Sequence, residues 1–327
     1  MTIGNLGRIC QTLLVAGTVL AAGTGADAAV KMRMATEVAA GGDVAVLLDE
    51  FRAAIEERQP DADVKVFTGG SLGTQRQLQE QIELGTIEAI GTASDIVEMA
   101  GEFSIFDLPF LFTDNEHAYR AMDGDLGRKL NDVLIERRGV RVLAYGELGF
   151  RHITNSKRPI ETPDDLAGLK IRTPSNELRI AAFQALGAAP TPIPYSELYS
   201  ALQVGVVDGQ ENPLITIDEK SLWEVQKFVS MTYHVFTPAF LLVNETWWQG
   251  LGDDDRQVLE EAGRQAADRQ RAKLDAQLQE LVAKAESNGM SINRPNLDAF
   301  KEKTRPLWTT FEEAHGSELI EAVEQVR

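Results

Sequence analysis

Leu169-Lys170-Ile171-Arg172-Thr173-Pro174 reads as a short apolar strand brought to a stop, because proline cannot donate to a sheet and restricts the residue before it. Around it, from Phe150 to Pro213, the units stay short and are punctuated by Pro159, Pro163, Pro174, Pro190, Pro192, Pro194 and Pro213. That rhythm describes an α/β lobe. Upstream, Met32-Arg33-Met34-Ala35, Val64-Lys65-Val66-Phe67 and Ile87-Glu88-Ala89-Ile90 read as strands, with helical spacing over residues 46–55 and 78–84. A longer helix is expected over residues 116–137, leading into a strand over 140–145. Short strands alternating with helical patterns specify an α/β chain with two such lobes.

Downstream, Phe240-Leu241-Leu242-Val243 is a further buried strand that can return the chain to the first lobe. Residues 253–287 then hold one uninterrupted helical pattern, with Val258, Ala262, Ala266, Leu274, Leu278, Leu281 and Ala285 at spacings of three and four. Asp253, Asp254 and Asp255 suit its start and Asn288-Gly289 its end. At 1.5 Å per residue it spans roughly 50 Å, enough to run along both lobes. An exposed dimerisation coil is the competing reading, weakened by the lack of sustained heptads of large residues.

The chain opens with Arg8, an apolar run over residues 13–22, and small residues ending at Ala26-Asp27-Ala28. This is the layout of a secretory signal peptide over residues 1–28. The one cysteine, Cys10, falls inside it, so a mature chain of about 300 residues has no disulfide and depends on its apolar core. No later segment approaches the roughly 20 apolar residues that cross a bilayer, so direct membrane insertion is not expected. A net charge of -18 argues against nucleic acid as a partner. It also means that an anionic ligand must be met by a few placed cations.

Enzyme signatures are missing: there is no Gly-rich phosphate loop, no Gly-x-Ser-x-Gly elbow and no His-Glu-x-x-His. His117, His152, His234 and His315 stand far apart, so no catalytic residue, metal ligand set or cofactor site is nominated. Arg172, at a strand end, and Arg151, after Gly149-Phe150 at the junction of the two halves, offer planar forks suited to a carboxylate. Either arginine is as readily a solvated or structural cation. Asn212 before Pro213 offers an amide or merely a turn, and Tyr195 a ligand cover or merely core. The residues alone leave these pairs of readings open.

Taken in order, several stretches resemble the solute-binding subunit of tripartite ATP-independent periplasmic (TRAP) transporters, the DctP family. They are Gly149-Phe150-Arg151-His152-Ile153-Thr154-Asn155, Leu166-Ala167-Gly168-Leu169-Lys170-Ile171-Arg172-Thr173-Pro174, Gly187-Ala188-Ala189-Pro190-Thr191-Pro192-Ile193-Pro194-Tyr195, and Gly205-Val206-Val207-Asp208-Gly209-Gln210-Glu211-Asn212-Pro213. Gly70-Ser71-Leu72-Gly73 and Asp107-Leu108-Pro109-Phe110 fit upstream. The resemblance implies a two-lobed periplasmic-binding-protein fold, with a cleft between the lobes and a long helix spanning them. Lobe I would comprise residues 29–148 and 238–277, and lobe II residues 149–237 and 278–327.

The same resemblance gives Arg172 the main paired contact with a ligand carboxylate, Arg151 support, Asn212 amide contacts and Tyr195 an aromatic wall. It aligns Glu37, Gln75, Thr92, Ala93, Ser94 and Asp95 with the first lobe's ligand contacts. Acceptors at Glu37 and Asp95 suit sugar hydroxyls and repel a second carboxylate, so a sugar acid such as glucuronate, galacturonate or mannonate is preferred. A C4-dicarboxylate is the alternative and an exported enzyme a remote one. Sialic-acid members carry an acidic residue and an arginine where this chain has Ala93 and Ile96. The implied protein is a periplasmic monomer that hands its acid to membrane permease subunits.

Overall fold

The computed structural model describes Met1 and residues 30–327; the expected signal peptide therefore lies almost wholly outside the described residues. Strands β1 (Lys31–Ala35), β2 (Asp63–Phe67) and β3 (Ala89–Thr92) are parallel neighbours. β4 (Val140–Asn155) is followed by β5 (Lys170–Thr173), β6 (Ala189–Pro192), β7 (Gly209–Pro213), β8 (Phe228–Ser230), β9 (Phe236–Asn244) and β10 (Ser291–Asn293). The sheet order is β2-β1-β3-β9-β4-β7-β5-β6, with β8 beside β4 and β10 beside β8.

β4 joins the two halves. Its first part runs antiparallel to β9, from Val140 opposite Asn244 to Phe150 opposite Phe236. Its last five residues, Arg151 to Asn155, pair instead with β7. Within the β9-paired part the register shifts between Val142 and Ala144 and again between Glu147 and Gly149, where Gly149 takes φ +93°, a conformation that residues with a Cβ rarely adopt.

Both faces of the first half-sheet are covered, as a sheet with parallel strands requires. Along β9, Leu241 and Val243 face a cluster with Met32, Met34, Phe51 and Leu259, while Phe240 and Leu242 face Phe103, Phe106, Leu130 and Leu134. The second half has its own cores, one around Ile153, Ile171 and Phe183 and one around Leu198, Leu214 and Val229.

The long helix runs over Asp253–Ser287. Leu259, Ala262 and Ala266 pack into the first lobe, and Leu274, Leu281 and Ala285 into the second, so one rigid element ties the two. Midway, buried Gln270 accepts from the Glu147 amide (2.9 Å) and donates to the Glu147 carbonyl (2.5 Å). Its side chain thus serves as a strand partner where β4 crosses between lobes.

Four expectations differ from the structure. The helix over 116–137 is two helices, Asn115–Met122 and Asp125–Arg138, broken at Asp123-Gly124, and Gly127 permits their close approach, since a Cβ there would lie 1.8 Å from the Met122 carbonyl oxygen. The strand expected at 140–145 continues to Asn155. The third strand lies two residues later than expected, at Ala89–Thr92. Finally, the tail does not belong wholly to the second lobe: Phe300 packs there, but Trp308, Phe311, Leu319, Ile320 and Val323 complete the first lobe's core. His117 Nε2 meets the Val323 carbonyl at 3.0 Å and fixes that end.

Candidate ligand-binding site

The C-terminal ends of parallel strands converge on the gap between the lobes, where ligands of open α/β sheets lie. In β5 Ile171 is core, and Arg172 pairs with Thr191 of β6 and Gln210 of β7. Its side chain is only 3% exposed. Nε donates to the Ile193 carbonyl at 2.8 Å, and Arg172 forms no ion pair among the described residues. Burial draws its pKa down to about 10, opposed by the charge of Asp95, so it remains a cation at neutral pH.

Arg151 is also buried and lines the same cavity, but its charge is matched. Nε and Nη2 hold the Glu211 carboxylate at 2.5 and 3.0 Å, and Nη2 also reaches Asn212 Oδ1 at 2.7 Å. Nη1 has only a 3.4 Å contact to Thr237 Oγ1. Glu211 is shared: Arg179 Nη1 donates to both of its oxygens at 2.8 and 2.7 Å, and His234 Nε2 lies 3.1 Å away. Arg179 in turn grips Asp107, which also takes the Asn176 amide. Burial acts to raise the Glu211 pKa, yet the guanidiniums of Arg151 and Arg179 hold it well below the carboxylate range. Two arginines and two carboxylates thus cancel. Of the two arginines in the cavity wall, Arg172 is the one without an ion-pair partner among the described residues.

Asn212 is likewise engaged, accepting from Arg151 and donating to Gln210. Tyr195 stands on a short 3-10 turn, its hydroxyl buried without a hydrogen bond and Lys220 Nζ 4.0 Å from its ring centre. Burial, then the nearby Asp43 and Glu219 charges, push that hydroxyl's pKa far up, so it stays a donor.

From the first lobe, Glu37, Gln75, Thr92, Ala93, Ser94 and Asp95 border the same cavity. Glu37 Oε2 accepts from the Gln75 amide at 3.1 Å and so anchors the helix Gln75–Glu83. Gln75 Nε2 and Thr92 Oγ1 are buried with no partner among the described residues. Ser94 and Asp95 open a 3-10 turn after β3. Burial pushes Asp95 up to about 6, against the pull of Arg172.

The structure therefore gathers all nine residues nominated from sequence around one cavity. It adds Asp43 and Thr216 to the wall, and Asp107, Arg179 and Glu211 behind it. Glu211 stood within the Gly209–Pro213 block but carried no separate signal. No cluster of three or more His, Cys, Asp or Glu able to hold a metal is found among the described residues.

A polar cavity with one uncompensated guanidinium and several unused donors can receive an oxygen-rich anion. The family model for bacterial extracellular solute-binding protein, family 7 (DctP), matches residues 34–314. The 2,3-diketo-L-gulonate-binding periplasmic protein YiaO of Escherichia coli is 30% identical over 99% of this chain and 100% of its own length. A TRAP periplasmic solute binding protein from a Polaromonas species, bound to D-erythronate, superposes with a TM-score of 0.85 at 32% identity, covering 90% of this chain and 98% of that one. Another from Roseobacter denitrificans, with bound β-D-glucuronate, gives 0.85 at 28% identity over the same shares. Sequence family and two-lobed architecture agree, and the chain belongs to the DctP family of bacterial extracellular solute-binding proteins.

Proposed function

We propose that this solute-binding protein captures a hydroxylated monocarboxylate, a sugar acid such as glucuronate, galacturonate or mannonate, and delivers it to the permease subunits of a TRAP transporter. The observation that carries the reading is Arg172: a buried guanidinium oriented through Nε, with no counter-ion among the described residues. The ligand carboxylate would take its terminal nitrogens, with Arg151 behind it. Tyr195, Asn212, Gln75, Thr92 and Ser94 would meet hydroxyls, and Glu37 and Asp95 would accept from them. The relatives that bind D-erythronate, β-D-glucuronate and 2,3-diketo-L-gulonate support this ligand class over a C4-dicarboxylate.

Binding would be coupled to closure of lobe I (residues 29–148 and 238–277) on lobe II (149–237 and most of 278–327). Burying a carboxylate is costly unless it is paired, so closure over a matched anion is favoured, and the permease would receive the closed form. Export through a signal peptide over residues 1–28 would place the chain, as a monomer, in the periplasm. Thermal-shift screening of uronates, aldonates and C4-dicarboxylates tests the assignment: stabilisation by sugar acids is expected, and stabilisation by succinate alone would reject it.

A further inference from the structure

We infer that Asp43 is the residue that makes the cavity reject ligands with a second carboxylate. This rests on the sugar-acid reading and names what enforces it. Asp43 is the first residue of the helix Asp43–Arg58 and is 2% exposed in the cavity wall. Its Oδ1 accepts from the Val44 amide at 2.6 Å, and its Oδ2 accepts across the gap from Thr216 Oγ1 at 3.3 Å. It makes no ion pair among the described residues. Burial raises its pKa, and the neighbouring Glu219 is raised likewise by burial and by the Asp43 charge, while Arg151 and Lys220 pull Asp43 the other way.

The other two acids on the wall are differently placed. Glu37 is half-buried and anchors the Gln75 amide, and Asp95 feels the Arg172 charge without forming an ion pair with it. Arg151 is already matched by Glu211. A ligand's first carboxylate takes Arg172, whereas a second meets Asp43 and the neighbouring Glu219, two buried carboxyls with Lys220 as the cation beside both, so that negative groups outnumber positive ones there. Water does not screen that repulsion inside a closed gap. A hydroxyl in the same place donates to Asp43 and is accepted.

Calorimetry at pH 7.5 with acids differing only in the far-end carboxylate, gluconate against glucarate and galactonate against galactarate, tests this. The intact chain should prefer the monoacid, and Asp43→Asn and Asp43→Ser should each reduce the preference at least about tenfold. An unchanged ratio in both variants overturns the inference while leaving the sugar-acid reading standing. Loss of all binding in both variants would assign Asp43 to closure and equally overturn it. Failure of the unaltered protein to bind any sugar acid removes the reading beneath it as well.

Discussion

Arg172 Nε donates to the main-chain oxygen of Ile193 at 2.8 Å, while the guanidinium forms no ion pair among the described residues. The bond fixes the plane of the fork before any ligand arrives, which lowers the ordering cost of binding. Arg172→Ala should weaken sugar-acid binding by about 2–5 kcal/mol in calorimetry, the usual cost of removing one partner of a buried charge pair. Arg172→Lys should not restore it, because an ammonium lacks the planar fork. Affinity unchanged in Arg172→Ala would take this residue out of the site.

Glu211 carries a different burden. It lies fully buried between Arg151 and Arg179, so Glu211→Gln leaves two guanidiniums facing each other with only Asp107 to balance them. A loss of about 3–5 kcal/mol in urea unfolding is expected. A loss under 1 kcal/mol would mean that the quartet is not the electrostatic unit described.

Glu147 sets a pH dependence. Glu147 is 1% exposed, its Oε2 has no hydrogen bond among the described residues, and burial raises its pKa to about 7. A raised carboxyl pKa contributes stability that is fully present below the unfolded value near 4.5 and is lost as pH rises through about 7. Glu147→Gln should therefore flatten the decline in melting temperature between about pH 5 and 8, and at pH 8 stabilise by up to about 3 kcal/mol. A variant as pH-sensitive as the parent would contradict this.

Gly42 lies where the lobes touch. A Cβ there would come within 2.5 Å of Val38 Cγ1 and 2.7 Å of the Glu219 carboxyl, on the far side of the gap. Gly42→Ala should weaken ligand affinity by about 1–3 kcal/mol through overpacking of the closed form. The unliganded melting temperature should fall as well, because the Val38 contact lies within one lobe, but the ligand-induced rise in melting temperature should shrink further. Small-angle scattering checks the cause: ligand-induced compaction should shrink in the variant.

Much of this architecture was legible because its signals are local. The helix Asp253–Ser287 carries its acidic start, apolar stripe and Asn-Gly stop within one segment, and its expected and observed bounds agree. β5 is bounded by its own proline. Asp123-Gly124 interrupts what reads as one helix, because the break depends on how two segments abut, and Asp123 pairs with the distant Arg271. The ion quartet was not legible for the same reason. Arg179 lies 72 residues from Asp107 and 32 from Glu211, and no spacing within one element announces such a pair. Arg172, Arg151, Asn212 and Tyr195 stood out singly, each with a structural reading beside it, and Glu37, Gln75, Thr92, Ser94 and Asp95 were reached through resemblance to a family.

The amide of Gln270 holds both the N–H and the C=O of Glu147, and it projects from a helix anchored in both lobes. In the lobe closure proposed above, that point would act as an axle, with backbone rotation on either side of it at the Gly149 kink and in β9, and the cavity walls would return to the same registration at each cycle.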